Sequence, residues 1–391
     1  MYLFIGVVMK DILLVDMNAF FIMCESRRDN SLLNIPAAVA GDPKYRTGII
    51  LAANYEARKF NVKVTMTVNE ALKICPNLKL VKPDHEYYEK CSKQVFSLLS
   101  EYSPQLEINS IDEAWIDVTS SKKLFGDPYE IACNIQRRIK EELGLWCSIG
   151  ISENKFLAKM ASEMKKPLGI TKLYKSSVSE ILWPLSINKL YGIGNATAKK
   201  LNKDGIITIG DLAKADLSYL VSRFGKYGVY LYERSKGIDD DLVCPNDSKS
   251  LSCGRMETLT HDITDLNEAK RVIAVLSESI ARSVRQKNLV GSVVQIQIKY
   301  NTFKMISRQI TIEETSLTKD IYNAGCSILE NNWDQDKPVR LLGISLCSLK
   351  QKDMQISFDV NGKQKEEHLE KTIDKLNSKF GQDIIKRGNT I

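Results

Sequence analysis

The chain has 391 residues, 43% of them apolar and 26% charged. This is ordinary globular usage; it excludes wholesale disorder and fibrous architecture, and at roughly 100–200 residues per domain it allows two to four domains with sizeable cores. Lys and Arg number 55 against 48 Asp and Glu, a net charge of +7 spread along the chain without a basic tail, so a polyanionic partner is permitted but not demanded.

Nine cysteines are scattered without a C-x-x-C pair, and their number is odd. They read as reduced thiols, not as a disulfide framework or a zinc site. The three histidines, His85, His261 and His368, are far apart, which argues against histidine-based hydrolysis. Any metal is expected on carboxylates, which favours Mg²⁺ or Mn²⁺. The longest apolar run, Tyr2–Met9, is too short to span a bilayer and lacks the flanks of a secretory leader. The expected location is cytoplasmic, with no membrane partner.

Residues 11–16, DILLVD, predict a buried strand ending in Asp16. Residues 20–83 mix short helical patterns with polar turns. Residues 105–118, QLEINSIDEAWIDV, alternate apolar and polar and predict two antiparallel strands with a tight connection. Ile131, Ile135, Ile139 and Leu143 share one face of a helix over 129–143. A strand at 147–152 and a helix at 153–164 follow. Residues 190–237 are read as helical. DDDLVCPNDSKS (239–250) is the best linker in the chain. Beyond it the pattern runs β-α-β-β-α-β, a compact open-faced sandwich. In the tail, Leu369, Ile373, Leu376 and Phe380 form one stripe, expected to pack. No internal repeat or low-complexity tract is present.

The acidic residues carry the first chemical signal. Asp16 ends a strand, and Asp112 and Glu113 sit in the connection of a hairpin. A rigid acidic cluster is repulsive unless a cation neutralises it, and carboxylates shared by two Mg²⁺ ions are what phosphoryl transfer uses. Pattern alone does not bring Asp16 to Asp112, and an adjacent Asp-Glu pair is commonly a solvated turn.

Five blocks occur in order: VDMNAFF (15–21), NYEARKF (54–60), SIDEAWIDV (110–118), GISENKFLAKMASEMKKPLGI (150–170) and YGIGNATAKKL (191–201). Together they resemble the Y-family DNA polymerases, the translesion enzymes that include the bacterial DNA polymerase IV and UmuC types. The resemblance covers about residues 10 to 350. It implies an α+β right-hand polymerase with a ferredoxin-like palm (1–19 and 84–173), small fingers (20–83) and a helical thumb with a helix-hairpin-helix (174–238). The linker (239–250), a βαββαβ little finger (251–350) and a tail (351–391) follow. Asp16, Asp112 and Glu113 match the family's catalytic metal ligands, and the Met17 carbonyl would also touch a metal. Asn18 departs from the Asp of polymerase IV-type members and looks more like UmuC-type chains.

By the same resemblance Phe21 occupies the steric-gate position beside Phe20. A flat ring under the sugar leaves no room for a 2′-hydroxyl, although a bare Phe pair is ordinarily core. Tyr55 and Arg58, three apart on a helix, and Lys166 match the contacts to the triphosphate.

YGIGNATAKKL reads as a helix-hairpin-helix turn, in which Gly192 and Gly194 let the backbone approach a DNA phosphate and Lys199 and Lys200 add charge. Arg255, Arg308 and Arg340 are candidate phosphate contacts in the little finger, with Lys299 and Lys304. Gln355, Ile356 and Phe358 resemble a shortened sliding-clamp-binding peptide.

The implied function is template-directed, low-fidelity DNA synthesis past lesions, adding dNTPs to a primer 3′-end with two Mg²⁺ ions, Mn²⁺ being a possible substitute. The implied partners are primer-template DNA, dNTP and a sliding clamp, the enzyme itself being a monomer. The alternative is a non-catalytic adaptor that keeps the polymerase shape and binds the clamp and repair partners; it predicts missing carboxylates.

Overall fold

The computed structural model describes residues 9–42, 48–245, 251–352, 363–381 and 385. The described residues up to 245 form one unit and those from 251 form another.

In the first unit, β1 (Ile12–Met17) is buried at all six positions. A strand this apolar without alternation suits the middle of a sheet covered on both faces. α1 (Phe20–Arg28) follows directly. β2 (Ala37–Ala40), β3 (Ile50–Ala53), α2 (Tyr55–Lys59), α3 (Val68–Ile74) and β4 (Lys79–Val81) build a small subdomain on a three-stranded sheet ordered β3-β2-β4. α4 (His85–Ser100) then leads to the hairpin of β5 (Leu106–Ile108) and β6 (Glu113–Asp117). α5 (Lys122–Phe125), α6 (Pro128–Leu143), β7 (Cys147–Ser152), α7 (Lys155–Met164) and β8 (Ile170–Lys172) complete a five-stranded sheet ordered β5-β6-β1-β7-β8.

The two faces of this sheet bury different residues of β1. Leu13, Val15 and Met17 join Ile131, Ile135 and Ile139 of α6 in the main core. Ile12 and Leu14 turn the other way and pack with Trp115 and with Ala158 of α7. α7 can approach that closely because β7 carries Gly150, where a Cβ would lie 1.9 Å from the Ala158 carbonyl oxygen. Asp16 has the parity of Ile12 and Leu14, so it points to the side covered by α7.

α8 (Val178–Ile181), α9 (Asn195–Lys203), α10 (Ile209–Lys214), α11 (Leu217–Phe224) and α12 (Lys226–Ser235) form a helical part around Leu201, Ile209, Leu212, Leu220 and Leu231. Part of the stretch read from sequence as linker is packed. Asp239 pairs with Arg234 at 2.7 Å and accepts from the Phe156 N–H, and Val243 joins the small cluster around Leu14. Asp239 is thus paired and capping in place of being solvated, which composition does not reveal, while Asp240 and Asp241 stay exposed.

The second unit runs β9 (Ser252–Ile263), α13 (Leu266–Gln286), β10 (Leu289–Tyr300), β11 (Met305–Thr315), α14 (Thr318–Asn332) and β12 (Val339–Cys347). This is the β-α-β-β-α-β order expected, in a sheet ordered β11-β10-β12-β9. Ile273, Ile280 and Val284 of α13 and Ile321 and Leu329 of α14 bury against Ile296, Ile298, Ile344 and Leu346 of the central strands.

β13 (Lys350–Gln351) pairs with β10, and α15 (Lys363–Phe380) returns to the same unit. The apolar stripe of α15 does not make that contact. Leu369 and Phe380 are 59% exposed, whereas Glu370 and Asn377 are buried. Arg285 binds Asp374 through Nε (2.7 Å) and Nη2 (3.0 Å), and Glu370 at 3.1 Å. The helix docks by its acidic face because α13 offers Arg282 and Arg285.

Candidate active site

Asp16 and Glu113 are directly opposed in the antiparallel register of β1 and β6, and the Met17 N–H donates to the Asp112 carbonyl at 2.9 Å. The hairpin connection thus arrives at the end of β1, and the three carboxylate residues line one cleft of about 400 Å³. Met17, Phe20, Phe21, Tyr55, Arg58 and Lys166 line it too. Every catalytic and nucleotide-site residue named from sequence therefore lies on a single cavity.

The cleft is strongly charged. Lys159 Nζ lies 2.8 Å from Asp16 Oδ2 and 2.5 Å from Glu113 Oε2. Lys166 Nζ lies 2.6 Å from Asp16 Oδ1. Glu163 accepts from Lys159 at 3.1 Å and from Lys166 at 2.9 Å. Burial alone would lower both lysines' pKa values, but pairing with Asp16, aided by Glu113 at Lys159 and Glu163 at Lys166, raises them. Both are held as ammonium groups.

Lys159 and Glu163 did not stand out in the sequence. One turn apart on α7, they face the site only because α7 covers that side of the sheet. Asn18 is likewise structural. It is buried, donates to Ser148 Oγ at 3.1 Å, and accepts from the Leu168 N–H at 2.9 Å. It thereby ties the end of β1 to the segment that carries Lys166.

Asp112 accepts from Ser110 Oγ at 2.5 Å. Among the described residues, no three carboxylate, imidazole or thiol side chains converge on one point as a preformed cation site. The donor set still suits a hard divalent ion. It is all oxygen, and the space between Asp16 and Glu113 already accepts a positive charge, the Lys159 ammonium.

The nucleotide-site residues are separately braced. Asn54 caps α2 by accepting from the Ala57 N–H, while its amide donates to Leu32 and Ile35 carbonyls at 2.8 Å. The Tyr55 hydroxyl is buried and has no hydrogen-bond partner among the described residues; burial pushes its pKa up. The Arg58 guanidinium lies 4.9 Å from the Tyr55 ring centroid, with Nε donating to the Ala53 carbonyl. Phe20 is core. Phe21 is half-buried and stacks on Tyr88 with ring centroids 4.5 Å apart. Tyr88 is held in turn by donating to Glu25 at 2.7 Å.

Away from the cleft, Gly192 has a φ of +93°, which favours glycine, and its carbonyl accepts from the Tyr227 hydroxyl. Gly194 precedes α9, and a Cβ there would meet nothing within 4 Å. Lys199 and Lys200 are exposed on α9. In the second unit, Arg255 and Arg308 lie on the edge strands β9 and β11, separated by the central pair. Arg340 and Lys299 both sit over the Phe303 ring, 4.9 and 5.0 Å from its centroid. These arginines do not form one cluster. Gln355, Ile356 and Phe358 lie outside the described residues.

Comparison with known proteins covers nearly the whole chain. The impB/mucB/samB family model matches residues 15–163, its C-terminal domain matches 248–358, and a DNA polymerase-iota thumb-domain model matches 188–239. The chain is 50% identical to a DNA polymerase IV of Clostridium kluyveri over 391 residues, covering 97% of this chain and 98% of that one. This chain belongs to the Y-family of DNA polymerases. A DNA polymerase IV of Alkaliphilus oremlandii is 46% identical, with 97% and 98% covered. Among solved structures, a Y-family DNA polymerase chimera superposes with a TM-score of 0.76 at 25% identity, over 88% of this chain and all of that one.

The α+β right-hand polymerase fold that the resemblance implied is therefore the one found. The relatives just named are called polymerase IV, so the lean toward UmuC-type chains suggested by Asn18 is not supported; the residue's bonds to Ser148 and Leu168 give it a structural role instead. Family membership brings a general use of divalent metals. Among the described residues no helix is long and apolar enough to cross a membrane.

Proposed function

We propose that this Y-family polymerase performs template-directed, low-fidelity translesion synthesis, adding dNTPs to a primer 3′-end by two-metal nucleotidyl transfer. The observation that carries the catalytic assignment is the register pairing of Asp16 with Glu113, beside Asp112, in a cleft that also holds Phe21, Tyr55, Arg58 and Lys166. Nothing favours the adaptor reading, because all three carboxylates are present and line that cleft.

Asp16, Asp112, Glu113 and the Met17 carbonyl would hold Mg²⁺, with Mn²⁺ as a substitute. Bound there, such ions would supply Lewis-acid chemistry, favouring the ionised primer hydroxyl and offsetting charge on the triphosphate and pyrophosphate. Arg58 and Lys166 supply positive charge to the phosphates, and the Tyr55 hydroxyl, without a partner among the described residues, supplies a donor. Phe21, backed by Tyr88, presents a rigid ring to the sugar, so a 2′-hydroxyl is rejected by contact. Substrate rejection needs that rigidity, since a ring free to swing would yield.

Primer-template DNA is held without base readout, by the Gly192–Gly194 turn with Lys199 and Lys200 and by Arg255, Arg308 and Arg340. The domain boundaries are those read from sequence, except that the packed residues 239–245 go with the first unit, and the enzyme acts as a monomer. Gln355, Ile356 and Phe358 attach it to a sliding clamp.

Primer extension with Mg²⁺ and dNTPs tests the core of this reading. Asp112→Ala/Glu113→Ala should abolish extension while duplex binding survives. Equal extension by the altered and unaltered proteins would overturn the site.

A further inference from the structure

One group in the cleft has no part in the scheme above. Lys159 is buried on α7 and places one ammonium on both opposed carboxylates, Asp16 and Glu113. It is held there by construction. Asn154 caps α7, accepting from the Leu157 N–H at 2.8 Å, and Gly150 seats the helix against the sheet. The same ammonium also reaches Glu163, one turn further along its own helix, at 3.1 Å.

A divalent ion on Asp16 and Glu113 would face this ammonium at a few ångströms. Like charges so close in a partly buried site repel strongly. Ion entry and the Lys159 contact with both carboxylates are thus mutually exclusive; Lys166, which touches Asp16 alone, adds to the same repulsion, and Glu163, half-exposed and already 3.1 Å from the Lys159 ammonium, can keep that ammonium paired when it leaves.

We propose that Lys159 is a displaceable resident counter-ion. It neutralises the Asp16–Glu113 pair when no divalent ion is there, and it retreats to Glu163 when one enters. The affinity of the free polymerase for divalent ions is then set by this competition, in which each cation weakens the other by the same factor. The inference rests on the assignment of Asp16 and Glu113 as metal ligands.

The test is Mn²⁺ binding to the full chain without DNA, read as free Mn²⁺ by electron paramagnetic resonance. Lys159→Met should bind Mn²⁺ about tenfold more tightly than the unaltered protein, while Lys159→Arg, which keeps the charge, should not. Asp16→Asn/Glu113→Gln should lose this binding. Binding that survives Asp16→Asn/Glu113→Gln would remove the metal-ligand reading and this proposal with it. Binding lost there but unchanged or weaker in Lys159→Met would overturn the competition alone. A measurement without substitution guards against a misfolded variant: reductive methylation of Lys159 in the unaltered protein, read by mass spectrometry, should rise when Mg²⁺ is added. An unchanged or reduced rate would overturn the proposal.

Discussion

Asp16 and Glu113 face each other across β1 and β6 and share a single ammonium, that of Lys159. Two acidic residues distant in sequence are brought within reach of one cation by strand register. A slip of one residue in β6 would send Glu113 to the opposite face of the sheet. The tight connection before Glu113 and the burial of Ala114 and Ile116 in the main core guard against that slip.

The support for Phe21 sets an expectation for sugar choice. Because its ring is stacked on Tyr88, Phe21→Ala should open the space beneath the sugar. The ratio of kcat/KM for dNTP over rNTP should fall by at least ~10-fold, mainly through improved ribonucleotide use. An unchanged ratio would remove the gate assignment.

Tyr55 and Arg58 should differ in magnitude. Tyr55→Phe deletes one hydroxyl donor, costing about 0.5–1.5 kcal/mol, whereas Arg58→Ala deletes a charged donor worth about 1.5–3 kcal/mol. Steady-state kinetics should show a larger loss of kcat/KM for Arg58→Ala. A larger loss from Tyr55→Phe would contradict the assigned contacts.

Gly150 should matter for stability. A Cβ there would lie 1.9 Å from the Ala158 carbonyl oxygen and 2.6 Å from the Ser162 nitrogen, so Gly150→Ala must push α7 off the sheet. Overpacking of this kind costs about 1–3 kcal/mol. Urea unfolding should register it as a lower midpoint, and a wild-type midpoint would mean the helix is less tightly seated.

Arg285 should decide whether α15 stays docked. Arg285→Met leaves Asp374 and Glu370 without their shared guanidinium, and breaking a buried pair from one side costs about 3–5 kcal/mol. Hydrogen exchange across 365–380 should accelerate while α13 remains protected. Unchanged exchange would show that other contacts hold the helix.

For the clamp, deletion of Gln355–Phe358 should lower clamp-stimulated synthesis and leave basal synthesis intact. Equal stimulation with and without the segment would exclude it as the attachment point.

The sequence by itself determined most of the strands and helices, because their apolar periodicity is local: Ala114, Ile116 and Val118 of the alternation and the stripe Ile131, Ile135, Ile139 end up buried as read, whereas Ile108 is exposed and the three short strands β2, β3 and β4 within 20–83 carried no pattern long enough to read. Its ordered motifs also carried the family and named the residues that line the cleft. Tertiary structure alone decided that Asp16 meets Glu113, since register depends on pairing partners far along the chain. It alone brought Lys159 and Glu163 into the site, because which face of α7 turns inward depends on the sheet beneath it. It also turned the acidic side of α15 inward against Arg285, reversing the expectation from its apolar stripe. Periodicity reports how a segment can pack; charge partners and close backbone approach, set by distant residues, choose what it packs against.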